Sequence, residues 1–262
     1  MISVLIPSFK PGEYFKECIK SLEGQTLSKD SFFVYIALNG PQVPYEYNIN
    51  SVLERISFRY KYIYIKEPGV SSARNELIDS SDGDYVVFLD DDDVLSENYL
   101  ENLLKVSTDK YMGISNIVNF ERDINKPKEN YIGKTFLNLN NYETSKFKTR
   151  KFFSSVMAKM IHRDMIEDIR FDTRLSKGED SLFMTLISKN ILGIKKTPGN
   201  TFYYVYEREN SASRKKTHIH KEIKVAVYLM RTYILLLFNS NYNSLFLLTR
   251  IAAILKKILK KL

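Results

Sequence analysis

The chain of 262 residues contains a single cysteine, Cys18. One thiol cannot form an intramolecular disulfide, and such sparse use of cysteine fits a reducing compartment, so a cytoplasmic location is expected. No uncharged apolar run reaches the ~20 residues that a helix needs to span a bilayer. Arg231, residues 239–243 and Arg250 interrupt the apolar C-terminal stretch. Met1 leads directly into Ile2-Ser-Val-Leu-Ile6, with neither a basic n-region nor a small-residue cleavage site, so no secretory leader is expected. Internal repeats are absent as well. What is present is an ordinary globular composition, 44% apolar, which argues against disorder. The length suits one large α/β domain or two small ones.

The net charge of +8 is unevenly spread. Residues 214–262 hold eleven Lys or Arg against Glu222 alone, so that segment carries +10 and the preceding residues −2. A basic segment can meet nucleic acid, anionic lipid or an acidic partner. Here Ile251, Ile254, Leu255, Ile258, Leu259 and Leu262 fall at helical spacing on one face, with Lys256, Lys257, Lys260 and Lys261 on another. A basic amphipathic helix of this kind suits an anionic membrane surface. The same stripe could pack against the rest of the chain or a second copy. The pattern favours peripheral contact with the inner face of the cytoplasmic membrane over nucleic acid.

The first half alternates apolar runs with helical periodicity. Residues 2–6 read as a buried strand ended by Pro7-Ser8, and residues 32–38 as another, ended by the turn signal Asn39-Gly40. Residues 60–65 and 84–89 add two more strands. Helices are expected over residues 13–22, 52–58 and 71–78, and after Ser96 as N-cap for a helix carrying Tyr99, Leu100, Leu103 and Leu104. Residues 123–150 are polar and weakly periodic and read as a long loop, and His162 reads as helical. The alternation implies an α/β fold, a Rossmann-like mixed and mostly parallel sheet with helices on both faces, followed by a C-terminal helical tail. In such sheets the ligand crevice lies beyond the carboxyl ends of the strands. Pro7, Ser8, Asn39 and the run Asp90-Asp91-Asp92-Asp93 all fall at such ends.

Four adjacent carboxylates repel one another, and a divalent cation gives them a purpose. Mg²⁺ and Mn²⁺ prefer hard oxygen ligands, often one or two carboxylates plus substrate phosphates. The alternative is an acidic loop that complements the dipole of the following helix.

These residues carry a family resemblance. Ser3-Val-Leu-Ile-Pro-Ser-Phe9, Ser21-Leu22 with Gln25-Thr26, Gly69-Val-Ser-Ser-Ala-Arg-Asn75, Gly83-Asp-Tyr-Val-Val-Phe-Leu-Asp-Asp-Asp-Asp93, Phe171-Asp172, Gly178-Glu-Asp180 and Tyr203-Tyr-Val-Tyr-Glu-Arg-Glu-Asn-Ser-Ala-Ser213 resemble, in order and spacing, the family 2 glycosyltransferases of GT-A fold. The resemblance covers roughly residues 2–213 and implies an inverting, metal-assisted transfer from a nucleotide-sugar donor to a glycan or lipid-linked glycan acceptor, in cell-surface polysaccharide or lipid-linked oligosaccharide synthesis of bacterial type. It implies Pro7 and Ser8 in the nucleotide pocket, Arg74 and Asp91 beside the nucleotide sugar, Asp90 and Asp92 as the DxD acids, Asp92 the more direct metal ligand, and Arg208 on phosphate. Asn39 stands where the family often has an aspartate contacting the base. Asn donates as well as accepts, which leaves the base, uridine in many members, open.

Inverting transfer needs a general base for the acceptor hydroxyl. Glu179 and Asp180 follow Ser176-Lys-Gly178, a flexible approach, and precede Leu182, Phe183, Leu186 and Ile187 at helical spacing. The family pattern implies Asp180 as the base and Glu179 as a supporting or acceptor-binding residue; without the resemblance, the two acids read rather as residues that stabilise the helix start. His218 or His220 could complete the metal site or touch the diphosphate, or be solvated on a basic linker. The implied division is residues 1–110 for the donor, 111–213 for the acceptor and 214–262 for the tail. Two rivals stand beside this reading. A sugar nucleotidyltransferase would open with a Gly-rich phosphate loop, which Pro7-Ser-Phe-Lys-Pro-Gly12 is not. A non-catalytic membrane or nucleic-acid binding protein leaves the acidic motifs unexplained.

Overall fold

The computed structural model of the chain describes residues 1–207 and 219–259; Arg208, His218, Lys260, Lys261 and Leu262 lie outside these residues. The elements run β1 (Ile2–Ser8), α1 (Tyr14–Glu23), β2 (Phe32–Asn39), α2 (Tyr45–Leu53), β3 (Arg59–Ile65), α3 (Val70–Ser80) and β4 (Tyr85–Phe88). After the aspartates come β5 (Val94–Leu95), α4 (Tyr99–Val106), β6 (Tyr111–Ile114), β7 (Asn116–Phe120), β8 (Lys128–Glu129), α5 (Tyr131–Asn138), β9 (Tyr142–Glu143) and α6 (Lys146–Thr149). The chain continues through β10 (Lys159–His162), α7 (Arg163–Ile166), α8 (Glu179–Ile187), β11 (Gly193–Lys196) and β12 (Phe202–Tyr206), and ends in α9 (Ile219–Leu237) and α10 (Ser244–Leu259).

An eight-stranded sheet has the order β3-β2-β1-β4-β10-β6-β11-β9. β1 pairs in parallel with β2 and β4, and β2 with β3. Every residue of β1 is buried, as befits a central strand covered on both faces. β10 enters antiparallel between β4 and β6, making the sheet mixed. A four-stranded sheet, β5-β12-β7-β8, lies beside it. Its β5–β12 pairing sets Tyr203 opposite Leu95, so it holds the segment that follows the aspartates.

Several local expectations are corrected. The second helix spans Tyr45–Leu53 rather than 52–58. Only Ile49 and Leu53 of it are buried, which leaves little periodic signal. Ser96 is not the cap of α4: Asn98 holds that position, and Ser96 Oγ donates to Asn98 Oδ1 and accepts from the Phe202 amide. Residues 123–150 hold two short strands and α5 and α6 rather than one loop. Asn130 caps α5 by accepting from the Ile132 amide, and Ile132, Gly133 and Phe136 form its buried face. His162 ends β10 and caps α7 by accepting from the Asp164 amide.

α9 and α10 pack on the body of the fold. Leu229, Tyr233 and Leu247 are buried with Leu175 and Leu182. Phe246 meets Phe153 with ring centroids 5.2 Å apart, and Arg250 Nη2 donates to Arg150 O at 2.8 Å. Tyr228 OH donates to Asp172 Oδ2 at 2.6 Å. The single apolar face expected on α10 is therefore split. Its packed stripe centres on Phe246, Leu247 and Arg250 and continues through half-buried Ile251, Ile254 and Ile258, leaving Leu255 and Leu259 outside, 45% and 73% exposed. No helix among the described residues is long and apolar enough to cross a membrane.

Candidate active site

The crevice forms where β1, β2 and β4 end. Ser8 closes β1, and its Oγ donates to Asp91 Oδ2 at 2.5 Å across 83 residues of sequence. Asn39 closes β2 as a buried strap: Nδ2 donates to Ser8 O at 2.7 Å and Oδ1 accepts from the Gly69 amide at 2.9 Å. Its amide thus ties β1, β2 and the start of α3 together. Pro7 is buried beside Ser8.

The four aspartates alternate in environment. Asp91 and Asp93 turn inward, 7% and 2% exposed. Asp93 Oδ1 accepts from the Tyr206 amide at 2.8 Å, and its own amide donates to Asp90 O at 3.1 Å, closing a tight turn. Burial, with the charges of Asp92 and Asp90, pushes the Asp93 carboxyl well above the usual carboxylate range. Asp90 and Asp92 remain half-exposed at the crevice. Tyr203 OH accepts from the Asp90 amide at 3.2 Å, and Cys18 Sγ donates to Asp90 O at 3.6 Å. Burial and the four aspartate charges push the Cys18 thiol up, so it is a packed thiol rather than a reactive one.

Arg74, from the middle of α3, joins the two acidic motifs. Nη2 meets Asp90 Oδ1 at 3.0 Å and Nη1 meets Asp180 Oδ1 at 2.6 Å. Its side chain is 4% exposed and lies over the Phe171 ring, 5.4 Å from the centroid. Phe171 stacks on Phe183 at 4.0 Å and 7°, and Phe88 meets both edge-on. This apolar floor makes the ion pairs strong. Burial alone would lower the guanidinium's proton affinity, but the charges of Asp180 and Asp90 more than offset it, so Arg74 stays protonated.

Glu179 and Asp180 open α8, as the spacing predicts. The approach is a fixed turn rather than a flexible one. Gly178 has φ +84°, and a Cβ there would lie 2.9 Å from Leu229 Cδ1, so glycine alone suits both the backbone and the contact with α9. Burial pushes the Asp180 carboxyl up, and Asp90 adds to this, while Arg74, Lys159 and the Val156 amide act against it. Burial and the Asp180 charge push Glu179 up too. Glu179 Oε2 is buried with no hydrogen-bond partner.

The structure thus brings together Pro7, Ser8, Asn39, Arg74, the aspartate run, Glu179 and Asp180. Arg208 and His218 lie outside the described residues, and His220 is exposed on the first turn of α9. Sequence patterns do not single out Tyr203 and Tyr206 as partners of the aspartates, nor Lys159 near Asp180. Their aromatic or strand context gives no such signal. The donor set suits a divalent cation: Asp90, which also meets Arg74, and Asp92 offer hard carboxylates half-exposed at the crevice, while Asp91 and Asp93 face inward. Among the described residues no three metal-ligating side chains of the His, Cys, Asp and Glu types converge. A cation here would complete its shell with substrate phosphates or water.

The mixed sheet thus carries an acidic turn and a buried Arg–carboxylate bridge at its strand ends. The profile of glycosyl transferase family 2 matches residues 3–170, and the chain belongs to that family. Glycosyltransferase GlyA of Streptococcus pneumoniae is 27% identical over 256 residues, 92% of this chain but 35% of GlyA. The chain thus spans about a third of that curated relative's length. In structure it is similar to S. aureus TarS 1-349 in complex with UDP-GlcNAc, with TM-score 0.74 and 18% identity over 98% of this chain and 71% of that one. It is also similar to mannosyltransferase PcManGT of Pyrobaculum calidifontis in complex with GDP-Man and Mn²⁺, with TM-score 0.65 and 15% identity over 95% and 68%. At these identities the likeness is one of fold, and the expected GT-A architecture is borne out.

Proposed function

We propose that the chain transfers a sugar from a nucleotide-sugar donor, a UDP-sugar, to an acceptor hydroxyl by metal-assisted inverting displacement. The observation that carries this reading is Arg74, which binds Asp90 on the donor side and Asp180 on the acceptor side within one buried network. Pro7, Ser8, Asn39 and Asp91 frame the nucleotide pocket. Asp92 and Asp90 would hold Mn²⁺ or Mg²⁺, which would neutralise the charge developing on the departing diphosphate. Asp180 takes the proton of the acceptor hydroxyl as its oxygen bonds the anomeric carbon and the bond from that carbon to the diphosphate breaks. The nucleoside diphosphate leaves, and direct displacement inverts the anomeric centre. Glu179 Oε2, buried and unpartnered, is placed to receive a second acceptor hydroxyl, since an unsatisfied buried oxygen costs about 1–3 kcal/mol. TarS bound to UDP-GlcNAc and PcManGT bound to Mn²⁺ support the donor and the metal. Purified chain given UDP-sugars and a glycan acceptor should release UDP with Mn²⁺ and not with EDTA. Release that is indifferent to EDTA would count against the metal.

The acceptor in this reading is a cell-surface glycan or lipid-linked glycan met at the inner face of the cytoplasmic membrane. Residues 1–110 serve the donor and 111–213 the acceptor, and α9 and α10 dock on lipid. On α9 the exposed residues Ile223, Val227, Ile234 and Leu235, with Phe238 just past its end, recur at helical spacing beside Lys224 and Arg231. Such a mixed apolar and basic face suits an anionic surface. The full chain should float with vesicles containing anionic lipid and not with purely zwitterionic ones, and a Leu235→Asp/Phe238→Asp variant should stay in solution. Equal flotation of the variant would remove this face from the account.

A further inference from the structure

Lys159 lies inside the main sheet, on the strand between β4 and β6. It opens β10 opposite Ile114 of β6 and is 1% exposed. Nζ donates to Ser155 O at 2.8 Å and to Met157 O at 2.5 Å. Both carbonyls belong to the turn before β10, where Ala158 adopts φ 61°. That left-handed conformation is unusual for a residue with a side chain, and persists only where its surroundings enforce it. Between the two carbonyls sits Val156, fully buried, whose backbone amide faces the Asp180 carboxylate and acts against the rise in its proton affinity. A buried ammonium is costly unless its charge is used, and the two groups that hold it are neutral. Burial pulls its proton affinity down to about 7, and the Asp180 charge acts against that fall.

We propose that Lys159 is a positioning residue for Asp180: its ammonium holds the turn that aims the Val156 amide at the carboxylate, and its charge stabilises the ionised form that accepts a proton. Four charged groups then face Asp180 from four elements. They are Arg74 from α3, Asp90 from the turn after β4, Glu179 beside it at the start of α8, and Lys159 from β10. Two cations and two anions therefore set its state. Arg74 is shared with Asp90, whereas both hydrogen bonds of the Lys159 ammonium go to the turn before β10. The proposal rests on Asp180 being the base, and its failure is separable from the failure of that reading. If Asp180 is not the base, Asp180→Asn keeps turnover; if only the role of Lys159 is wrong, Asp180→Asn is inactive while Lys159 variants behave as wild type.

The test compares Lys159→Met and Lys159→Arg in the full chain, following UDP release against pH together with Mn²⁺-dependent UDP affinity. Loss of a nearby positive charge raises the proton affinity of a carboxylate, so the acid limb of the kcat profile in Lys159→Met should move to higher pH. Below that limb kcat should fall about tenfold for each pH unit of movement. UDP affinity should stay at its wild-type value, and Lys159→Arg should restore the limb. A folded Lys159→Met with an unmoved limb overturns the proposal, and so does a loss of UDP affinity in parallel with kcat. Should the methionine variant fail to fold, Lys159→Gln, which can still donate to one carbonyl, gives the same readings, with the same shift expected.

Discussion

Asp180→Asn is expected to lower transfer by about 10²–10⁴-fold, the contribution typical of a positioned general base. The substitution keeps the shape of the side chain but not its ability to accept a proton. Arg74 keeps its ion pair with Asp90, so the donor side of the crevice stays organised and Mn²⁺-dependent UDP binding should persist. The pH dependence follows from the environment. Burial pushes the Asp180 carboxyl above its ordinary value of 3.8. A protonated carboxyl cannot act as base, so wild-type activity should fall as pH drops through that raised value, and the acid limb should lie above the range of an exposed aspartate. The same shift has a stability cost of opposite sense. A carboxyl whose folded proton affinity exceeds its unfolded one favours the fold below the unfolded value and loses that contribution as pH rises through the folded value. Near-normal turnover in Asp180→Asn would mean that another group takes the proton.

The second large effect is expected at Asp92. Asp92→Ala should weaken Mn²⁺-dependent nucleotide binding by at least the ~10–100-fold that loss of an outer-sphere partner costs a metal site. The contrast with Asp93 makes the prediction specific. Asp93 is buried, bonded to the Tyr206 amide, and ties the turn to β12, so Asp93→Ala should first lower the melting temperature. Asp92 is half-exposed at the crevice, so its loss should spare the fold. Nucleotide binding that survives Asp92→Ala unchanged, measured by titration calorimetry with Mn²⁺, would assign the metal to other groups.

Much of this site can be read from sequence because its parts fall at recognisable places. The largely apolar runs of β1, β2 and β4 end at Ser8, Asn39 and Asp90, and the strand-end rule brings those ends together. Gly178-Glu179-Asp180 announces α8 through a turn residue and a helical apolar pattern. The register of the aspartates is a different matter. Which carboxylates turn inward is decided by Ser8 and by the Tyr206 amide, 83 and 113 residues away, and local sequence carries no trace of those partners. Lys159 is hidden for the same reason: a lysine at the start of a strand reads as a solvated edge until the sheet order places it between β4 and β6. α5 and α2 bury only a few apolar residues each, too few for periodicity to stand out. On α10 helical spacing predicts one apolar face, but packing on Phe153 and Arg150 splits it and turns the buried stripe away from Leu255 and Leu259.

The central claim is that a nucleotide diphosphate binds here together with a divalent cation. Thermal denaturation of the chain with UDP, GDP or CMP, each with Mn²⁺ or EDTA, tests it most directly. A ligand at about 100 times its dissociation constant stabilises a fold by ~2.7 kcal/mol, a readily measured rise in melting temperature. The account predicts stabilisation by UDP with Mn²⁺, abolished by EDTA and absent in Asp92→Ala. No stabilisation by any nucleotide, or stabilisation that EDTA leaves intact, would contradict it.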